Sequence, residues 1–413
     1  MAISQDGMDY GKFFFLINIP LTLYLKVCIN AKYVHTVYFS EIQFGSKNKT
    51  FYLVIDTGSS DTWVPSSNCL SQACTNHETY GKSDSDTLKF ENLEFSIQYG
   101  TGSVTGVIAR DDLSFAGFNL NMEFGLATAL SSDFIDFPID GIMGLGFPET
   151  SQQRVDTVMQ VLAKDKLINK TMFSVALSRA SDQLQDGVIH FGRIDPSYFT
   201  GKMVFSDTVT DMGYWEVAMD DVGLDGKFFN FVNRTAIIDT GTSVLLLPPD
   251  DAYKVHYAMK DARTDGESFA IPCDTNYTIE IKISGVTYNI PASDWVGVPT
   301  SQGSKYCSSN IMSRVITGNT TWLLGDVFLK NVYSNFNFDS RSIGFATRAS
   351  PYGSTVTTSP SATNSFVPIT ATVTVSVTPG AKSAASGSIS QLSGFTTQLC
   401  FILSGFFLGL VLV

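Results

Sequence analysis

One string occurs twice in this chain. Phe51-Tyr-Leu-Val-Ile-Asp56-Thr-Gly-Ser-Ser returns 183 residues later as Arg234-Thr-Ala-Ile-Ile-Asp239-Thr-Gly-Thr-Ser. Each copy is followed by a hydrophobic-Gly element, Ile139-Asp-Gly-Ile-Met-Gly144 after the first and Trp322-Leu-Leu-Gly325-Asp326 after the second. A lone Asp-Thr-Gly is ordinary turn chemistry, expected by chance in about one chain in ten of this length at average residue usage. Two copies, each behind two branched apolar residues and ahead of Ser/Thr-Ser, are not. The chain therefore has two related halves, and a boundary near residues 205–212 divides them into 32–208 and 209–349.

The repeat carries specific chemistry. Val54-Ile55 and Ile237-Ile238 are wholly apolar and belong inside, so each delivers an acid at the end of a buried strand. Gly58 and Gly241 let the backbone turn tightly there. Ser59 and Thr242 place a hydroxyl within reach of each carboxylate. Two such loops brought face to face give a carboxyl pair that cannot ionise fully and so shares one proton over a broad acidic range. One member can take a proton from water while the other polarises a carbonyl, which is general acid–base hydrolysis without a covalent intermediate.

The rest of the body reads as strand and turn. Short apolar or alternating runs bounded by Gly, Asn, Asp and Ser include Val37–Phe44, Phe51–Ile55, Leu93–Tyr99, Val188–Phe191, Thr235–Ile238 and Tyr277–Ile283. Helical spacing is confined to Val155–Lys166 and Asp251–Lys260. With 44% apolar and 16% charged residues the chain can bury a sizeable core. Its net charge of −12 lacks the basic face of a nucleic-acid binder. No G-x-S-x-G or H-E-x-x-H occurs, and His35, His77, His190 and His256 stand in no catalytic context, which excludes the common serine hydrolases and zinc proteases.

Several longer strings resemble the pepsin family of aspartic endopeptidases, over about residues 37–349. Asp56-Thr-Gly-Ser-Ser-Asp-Thr-Trp63-Val-Pro is similar to the first active-site loop of that family, and Ile238-Asp239-Thr-Gly-Thr-Ser to the second. Ile97-Gln-Tyr99-Gly100-Thr101-Gly102-Ser resembles the flap, a hairpin that closes over the substrate. Gly213-Tyr-Trp-Glu-Val, Trp322-Leu-Leu-Gly-Asp-Val-Phe-Leu and Asn337-Phe-Asp…Ile343-Gly-Phe-Ala resemble segments of the second lobe. The resemblance implies an all-β, bilobal fold with two pseudo-symmetric lobes and a cleft between them. It implies Asp56 and Asp239 as the catalytic dyad, with Asp56 the acid and Asp239 the base. Ser59 and Thr242 would orient the carboxylates, and Thr57 and Thr240 would cross-link the loops. Tyr99 would be the flap tyrosine, bonded to Trp63, with Gly100 and Thr101 at the flap tip. It further implies a monomer acting on peptide or protein substrates, with no cofactor and no metal. Asp133 and Asp136 lie near a stretch that lines the primary pocket in relatives. A carboxylate there would favour Lys or Arg beside the scissile bond, against the more usual bulky apolar residues.

The remaining features concern compartment. Cys69 and Cys74 form one local pair and Cys273 and Cys307 another, which suggests two disulfides and an oxidising compartment; the spacings also fit the two common disulfides of the family. Five N-x-T sequons, at Asn48, Asn169, Asn233, Asn276 and Asn319, agree with secretion. The apolar run Phe13–Leu25 reads as part of a signal-like segment over residues 1–31, with cleavage after Ala31. The resemblance implies a first strand joining a sheet between the lobes, and removal of residues 1–31 leaves none for it. From Ser350 to Leu399, 21 of 50 residues are Ser or Thr, which resembles an O-glycosylated stalk (residues 350–388). Lys382 is the one side chain beyond Arg348 that is charged at neutral pH, so the body carries −13 and the tail +1. Ser386-Gly387-Ser388, a polar-leaning spacer and apolar Leu399–Val413 follow the order of a GPI-attachment signal over residues 389–413, with Ser386 as acceptor. The expectation is a cell-surface enzyme held to the membrane only by lipid, of the fungal GPI-anchored branch. The alternative is an inactive pepsin-like surface protein serving structure or adhesion.

Overall fold

The strand that carries Asp56, Lys49–Asp56, is paired on both sides. His35–Phe44 runs antiparallel to it and Gly141–Gly144 parallel. The second copy repeats this: Arg234–Ile238 lies between antiparallel Glu216–Met219 and parallel Thr321–Leu324. The likeness extends further out. Gly141–Gly144 is antiparallel to Thr62–Pro65, as Thr321–Leu324 is to Leu245–Leu247. Those strands in turn pair in parallel with Phe118–Leu130 and with Ile311–Ser313. The repeat in sequence is thus a repeat in topology. Parallel neighbours need a crossover, not a hairpin, which is why each hydrophobic-Gly segment lies some eighty residues beyond its Asp. Interior strands covered on both faces read as continuous apolar runs, and Leu53, Val54, Ile55, Ala236, Ile237 and Ile238 are all buried.

The structure is a computed structural model that describes residues 22–30, 35–137, 139–179, 187–210 and 212–349, with 22–37 described by backbone alone. Residues 1–21, the stalk and the segment beyond it, Ser386 included, lie outside the described residues. Both halves belong to one compact unit. Among the described residues, the largest sheet has thirteen strands drawn from both halves. Phe199–Asp207 pairs with Ser342–Arg348, and Met172–Ala176 lies between Gly187–Phe191 and Val332–Asn337. A division at residue 208 separates the repeats, but this sheet crosses it.

One expectation changes. Thr22–Asn30, assigned from sequence to a leader, is a strand in that sheet. It pairs antiparallel with Gly187–Phe191 through Thr22–Leu25 and with His35–Phe44 through Lys26–Asn30. It fills the place of the first strand that the sequence reading left empty. The physical reason is legible afterwards: Leu23-Tyr24-Leu25 and Val27-Cys28-Ile29 make a short apolar run broken only by Lys26, which suits an interior strand as well as a leader.

Aromatic packing joins the halves beneath the two loops. Phe147 of the first half lies 4.0 Å from Trp215 of the second, and Phe173 stacks on Phe336 at 4.8 Å. Trp215 donates its indole N–H to the Leu145 carbonyl at 3.0 Å. Buried rings of this kind contribute about 0.5–1.5 kcal/mol per pair beyond their area. The two expected helices form, as Val158–Lys164 and Pro249–Tyr257. The first starts on a reciprocal Thr157–Gln160 capping box.

Candidate active site

The two Asp-Thr-Gly loops meet. Asp56 and Asp239 are both fully buried, and their carboxyls hydrogen-bond to each other. Each side chain is held in the same way. Ser59 Oγ and Gly58 N donate to Asp56, and Thr242 Oγ1 and Gly241 N donate to Asp239; both backbone bonds are 2.8 Å. The glycines are needed for more than turning. A Cβ on Gly58 would stand 2.7 Å from the Asp239 carboxyl, and one on Gly241 would stand 2.4 Å from Asp56 Oδ1. Each loop thus leaves room for the acid of the other.

Thr57 and Thr240 lock the loops symmetrically. Thr57 N donates to Thr240 Oγ1 at 3.1 Å, and Thr240 N donates to Thr57 Oγ1 at 3.0 Å. The same hydroxyls donate onward, Thr57 to Ile238 O at 2.8 Å and Thr240 to Ile55 O at 2.6 Å. Four buried bonds therefore cross between halves directly under the carboxyls, leaving little freedom in their separation.

Burial pushes both carboxyls above the ordinary carboxylate range. For Asp56 the neighbouring Asp239 charge adds to the rise. For Asp239, donors from Thr242, Asp56, Gly241 and Gly58 work against it. The pair is one coupled acid that titrates as a unit.

Near these acids lies a hairpin, Lys89–Gln98 with Ser103–Phe115. Its turn closes through Tyr99 N to Gly102 O at 2.9 Å. Gly102 has φ +93°, and a Cβ there would meet Ser131 Oγ at 2.7 Å and the Phe134 ring at 2.8 Å. Gly100 and Thr101 form the tip, Gly100 exposed and Thr101 half-buried. Tyr99 is buried, and its hydroxyl accepts the Trp63 indole N–H at 2.8 Å, as expected from the sequence. Phe134 packs edge-on to Trp63 at 5.6 Å and to Tyr99 at 6.4 Å. Asp133, on the same short turn, is exposed and accepts from Ser131 Oγ at 2.9 Å. Asp136 is half-buried.

A third acid stands close by that the sequence reading gave no role. Asp61 is buried and accepts from Ser151 Oγ at 2.6 Å, Gln152 N at 2.8 Å and Gln153 N at 3.2 Å. It ties the first loop to the segment after Phe147. Burial raises its pKa despite those donors, and its charge is among the causes that raise Tyr99. Its signal was the Asp itself, set mid-way in an otherwise apolar and hydroxyl-bearing run.

Cys69–Cys74 and Cys273–Cys307 are both bonded. Asn48, Asn169, Asn233, Asn276 and Asn319 are all exposed.

A family model described as eukaryotic aspartyl protease matches residues 37–348. The chain belongs to the eukaryotic aspartyl protease family. Similar members of the family include a probable aspartic-type endopeptidase CTSD of Trichophyton verrucosum, 46% identical over 311 residues, which are 75% of this chain and 61% of that protein. The aspartic-type endopeptidase ctsD of Aspergillus fumigatus is 40% identical over 395 residues, 95% of this chain and 75% of that protein. Mouse cathepsin E is 34% identical over 322 residues, 76% of this chain and 81% of that protein. The aspartyl protease match spans only about three fifths of the length of the Trichophyton relative.

Proposed function

We propose that the chain is an aspartic endopeptidase working at acidic pH. One observation carries this: two buried carboxyls from duplicated loops, in hydrogen-bond contact, each with its own hydroxyl and backbone donor. In the proposed reaction a water between the carboxyls gives a proton to Asp239 and attacks the peptide carbon. Asp56 gives its proton to the carbonyl oxygen, and a tetrahedral diol forms. Asp239 then returns its proton to the departing nitrogen, the C–N bond breaks, and Asp56 recovers a proton as the new carboxyl forms. Names of family members as endopeptidases support the reading, as does the hairpin that brings Tyr99 near Asp56. Substrates are peptides or unfolded proteins, cut by a monomer.

The test is peptide release across pH, with and without a pepstatin-type inhibitor. Asp56→Asn is expected to lower kcat about 10²–10⁴-fold, the range of a lost general acid, with cooperative thermal unfolding retained. Undiminished cleavage in that variant would discard the mechanism.

We further propose passage through the secretory pathway to a GPI-anchored place at the cell surface. The two disulfides, the exposed sequons, the Ser/Thr-rich stalk and the small-residue triplet at Ser386 support it. A phosphatidylinositol-specific phospholipase should release the protein from membranes, and detection of the 399–413 peptide in the mature protein would refute the anchor. Treatment of secreted protein with an N-glycosidase should lower its mass; no change would remove the sequons from consideration.

A further inference from the structure

His77 stands between two carbonyls. Its Nδ1 lies 2.6 Å from Ala73 O and its Nε2 lies 2.8 Å from Phe137 O. A carbonyl oxygen only accepts, so each contact is a hydrogen bond only if that ring nitrogen carries a proton. A neutral ring has one such proton and can satisfy one carbonyl. The other would then face a nitrogen lone pair. Only the doubly protonated ring serves both.

The other described histidine side chains differ. His256 meets one carbonyl, Ala252 O, and a serine hydroxyl, Ser309 Oγ, which can donate to a bare ring nitrogen. His190 has the Tyr333 hydroxyl near Nδ1 and Asp195 near Nε2. Among the side chains described, the two-carbonyl arrangement belongs to His77.

The two carbonyls belong to different pieces of the cleft wall. Ala73 lies in the loop closed by Cys69–Cys74. Phe137 ends the segment 132–137, whose Phe134 packs on Trp63, Tyr99 and Phe137. Two further bonds tie the disulfide loop to the same region, Asn76 Nδ2 to Ile135 O at 2.9 Å and Leu130 N to Ser71 Oγ at 3.2 Å. His77 is the one member of that junction that gains or loses a proton. The charged groups on the elements around it are Glu78 beside it in the chain, Asp140 ahead of Gly141–Gly144, and Asp133 and Asp136 on the facing turn. Lys49 of the strand Lys49–Asp56 is also near, paired with Glu78 and Asp84. Asp140 accepts from Glu78 N at 3.0 Å and Tyr52 N at 2.9 Å, and the His77 charge favours its ionised form.

We infer that His77 is a positioning residue for peptide cleavage: as an imidazolium it pins the disulfide loop to segment 132–137, and so holds Phe134 against Trp63 and the flap residue Tyr99. Loss of one proton turns one of the two bonds into a repulsion between a lone pair and a carbonyl. The wall then loosens, and Tyr99 loses the ring that packs on it. The inference rests on the endopeptidase reading for its kinetic part alone.

Two measurements on the full chain test it. NMR of histidine-15N-labelled protein reads the proton count of the His77 ring directly. Two protonated nitrogens are expected at the acid end of the pH range of cleavage, and one where KM has risen. The second is kinetics on a fluorogenic peptide across pH. Wild-type KM should rise about ten-fold as the ring titrates, the worth of one charge-assisted hydrogen bond, with kcat following the dyad. In His77→Gln, KM should start raised about ten-fold at acid pH and not vary further, while kcat stays within about two-fold. His77→Arg keeps a cation with several donors and should hold KM low at every pH. A neutral ring at the acid end, where KM is lowest, overturns the inference, and the NMR reading stands whether or not the protein cleaves. A KM profile in His77→Gln that superimposes on wild type overturns it too. Failure of the endopeptidase reading would show separately, as absence of cleavage by the wild-type chain.

Discussion

At the residue scale the site rests on hydroxyls as much as on carboxyls. Thr240 Oγ1 accepts from Thr57 N and donates to Ile55 O, all of it buried. Thr240→Val keeps the shape and removes both bonds. It leaves a buried N–H and a buried C=O without these partners, each costing about 1–3 kcal/mol. The expected loss is about 2–5 kcal/mol, read as a lower urea midpoint at unchanged slope, and kcat should fall as the two carboxyls lose their fixed separation. A midpoint within error of wild type would mean that the loops are held elsewhere. These residues were legible because the chain spells the motif twice, and duplication points to a symmetric meeting. The Trp63–Tyr99 bond followed from the same strings. Asp61 and His77 were not legible in that way. Their roles come from partners at 151–153 and 137, and a single sequence carries no mark of which distant carbonyl or N–H will face a side chain.

At the scale of elements the same contrast holds. Alternation and turn residues marked Val37–Phe44, Phe51–Ile55 and Thr235–Ile238, and these formed as His35–Phe44, Lys49–Asp56 and Arg234–Ile238. Thr22–Asn30 was masked by its position, because an apolar run near the start of a chain satisfies the pattern of a leader as well as that of a strand. Pairing decides between them, and pairing is long-range: its partners begin at His35 and Gly187. This has a measurable consequence. The strand is interior to the sheet, so its removal bares two edges at once. Its ladder bonds, at about 0.5–1.5 kcal/mol each, together rival the 5–15 kcal/mol that holds an ordinary domain folded. A chain beginning at residue 32 is therefore expected to be insoluble or aggregated on size exclusion, whereas one beginning at residue 22 should be monomeric and melt cooperatively. A soluble, cooperatively melting protein from residue 32 would return Thr22–Asn30 to the leader.

Across the whole molecule, buried titratable groups set opposing trends with pH. Asp56, Asp239, Asp61 and Asp140 all have pKa values raised by burial. Such a group binds its proton more tightly folded than unfolded, so what it contributes is fully present below about pH 4, its unfolded value, and is lost as pH rises through the raised one. Two histidines run the other way. Burial lowers His190 and His256 to about 4, while an unfolded ring takes its proton near pH 6.5. Between about pH 6.5 and 4 the unfolded chain binds protons that the folded rings refuse, and stability falls as acid is added. For His256, stacked 3.7 Å from Phe269 and well enclosed, the cost reaches at most about 3 kcal/mol. Above pH 6.5 these two rings contribute no slope, whereas each carboxyl's contribution is lost as pH rises through its own raised value. His256→Gln can still donate to Ala252 O or meet Ser309 Oγ, but cannot titrate. It should therefore lose stability at pH 7, where the native ring packs without penalty, and recover about 2 kcal/mol of that loss by pH 4.5, as read from urea midpoints at the two pH values. Parallel pH trends in variant and wild type would show that the ring takes its proton without opening the fold, and acid tolerance would then have to rest on the carboxyls alone.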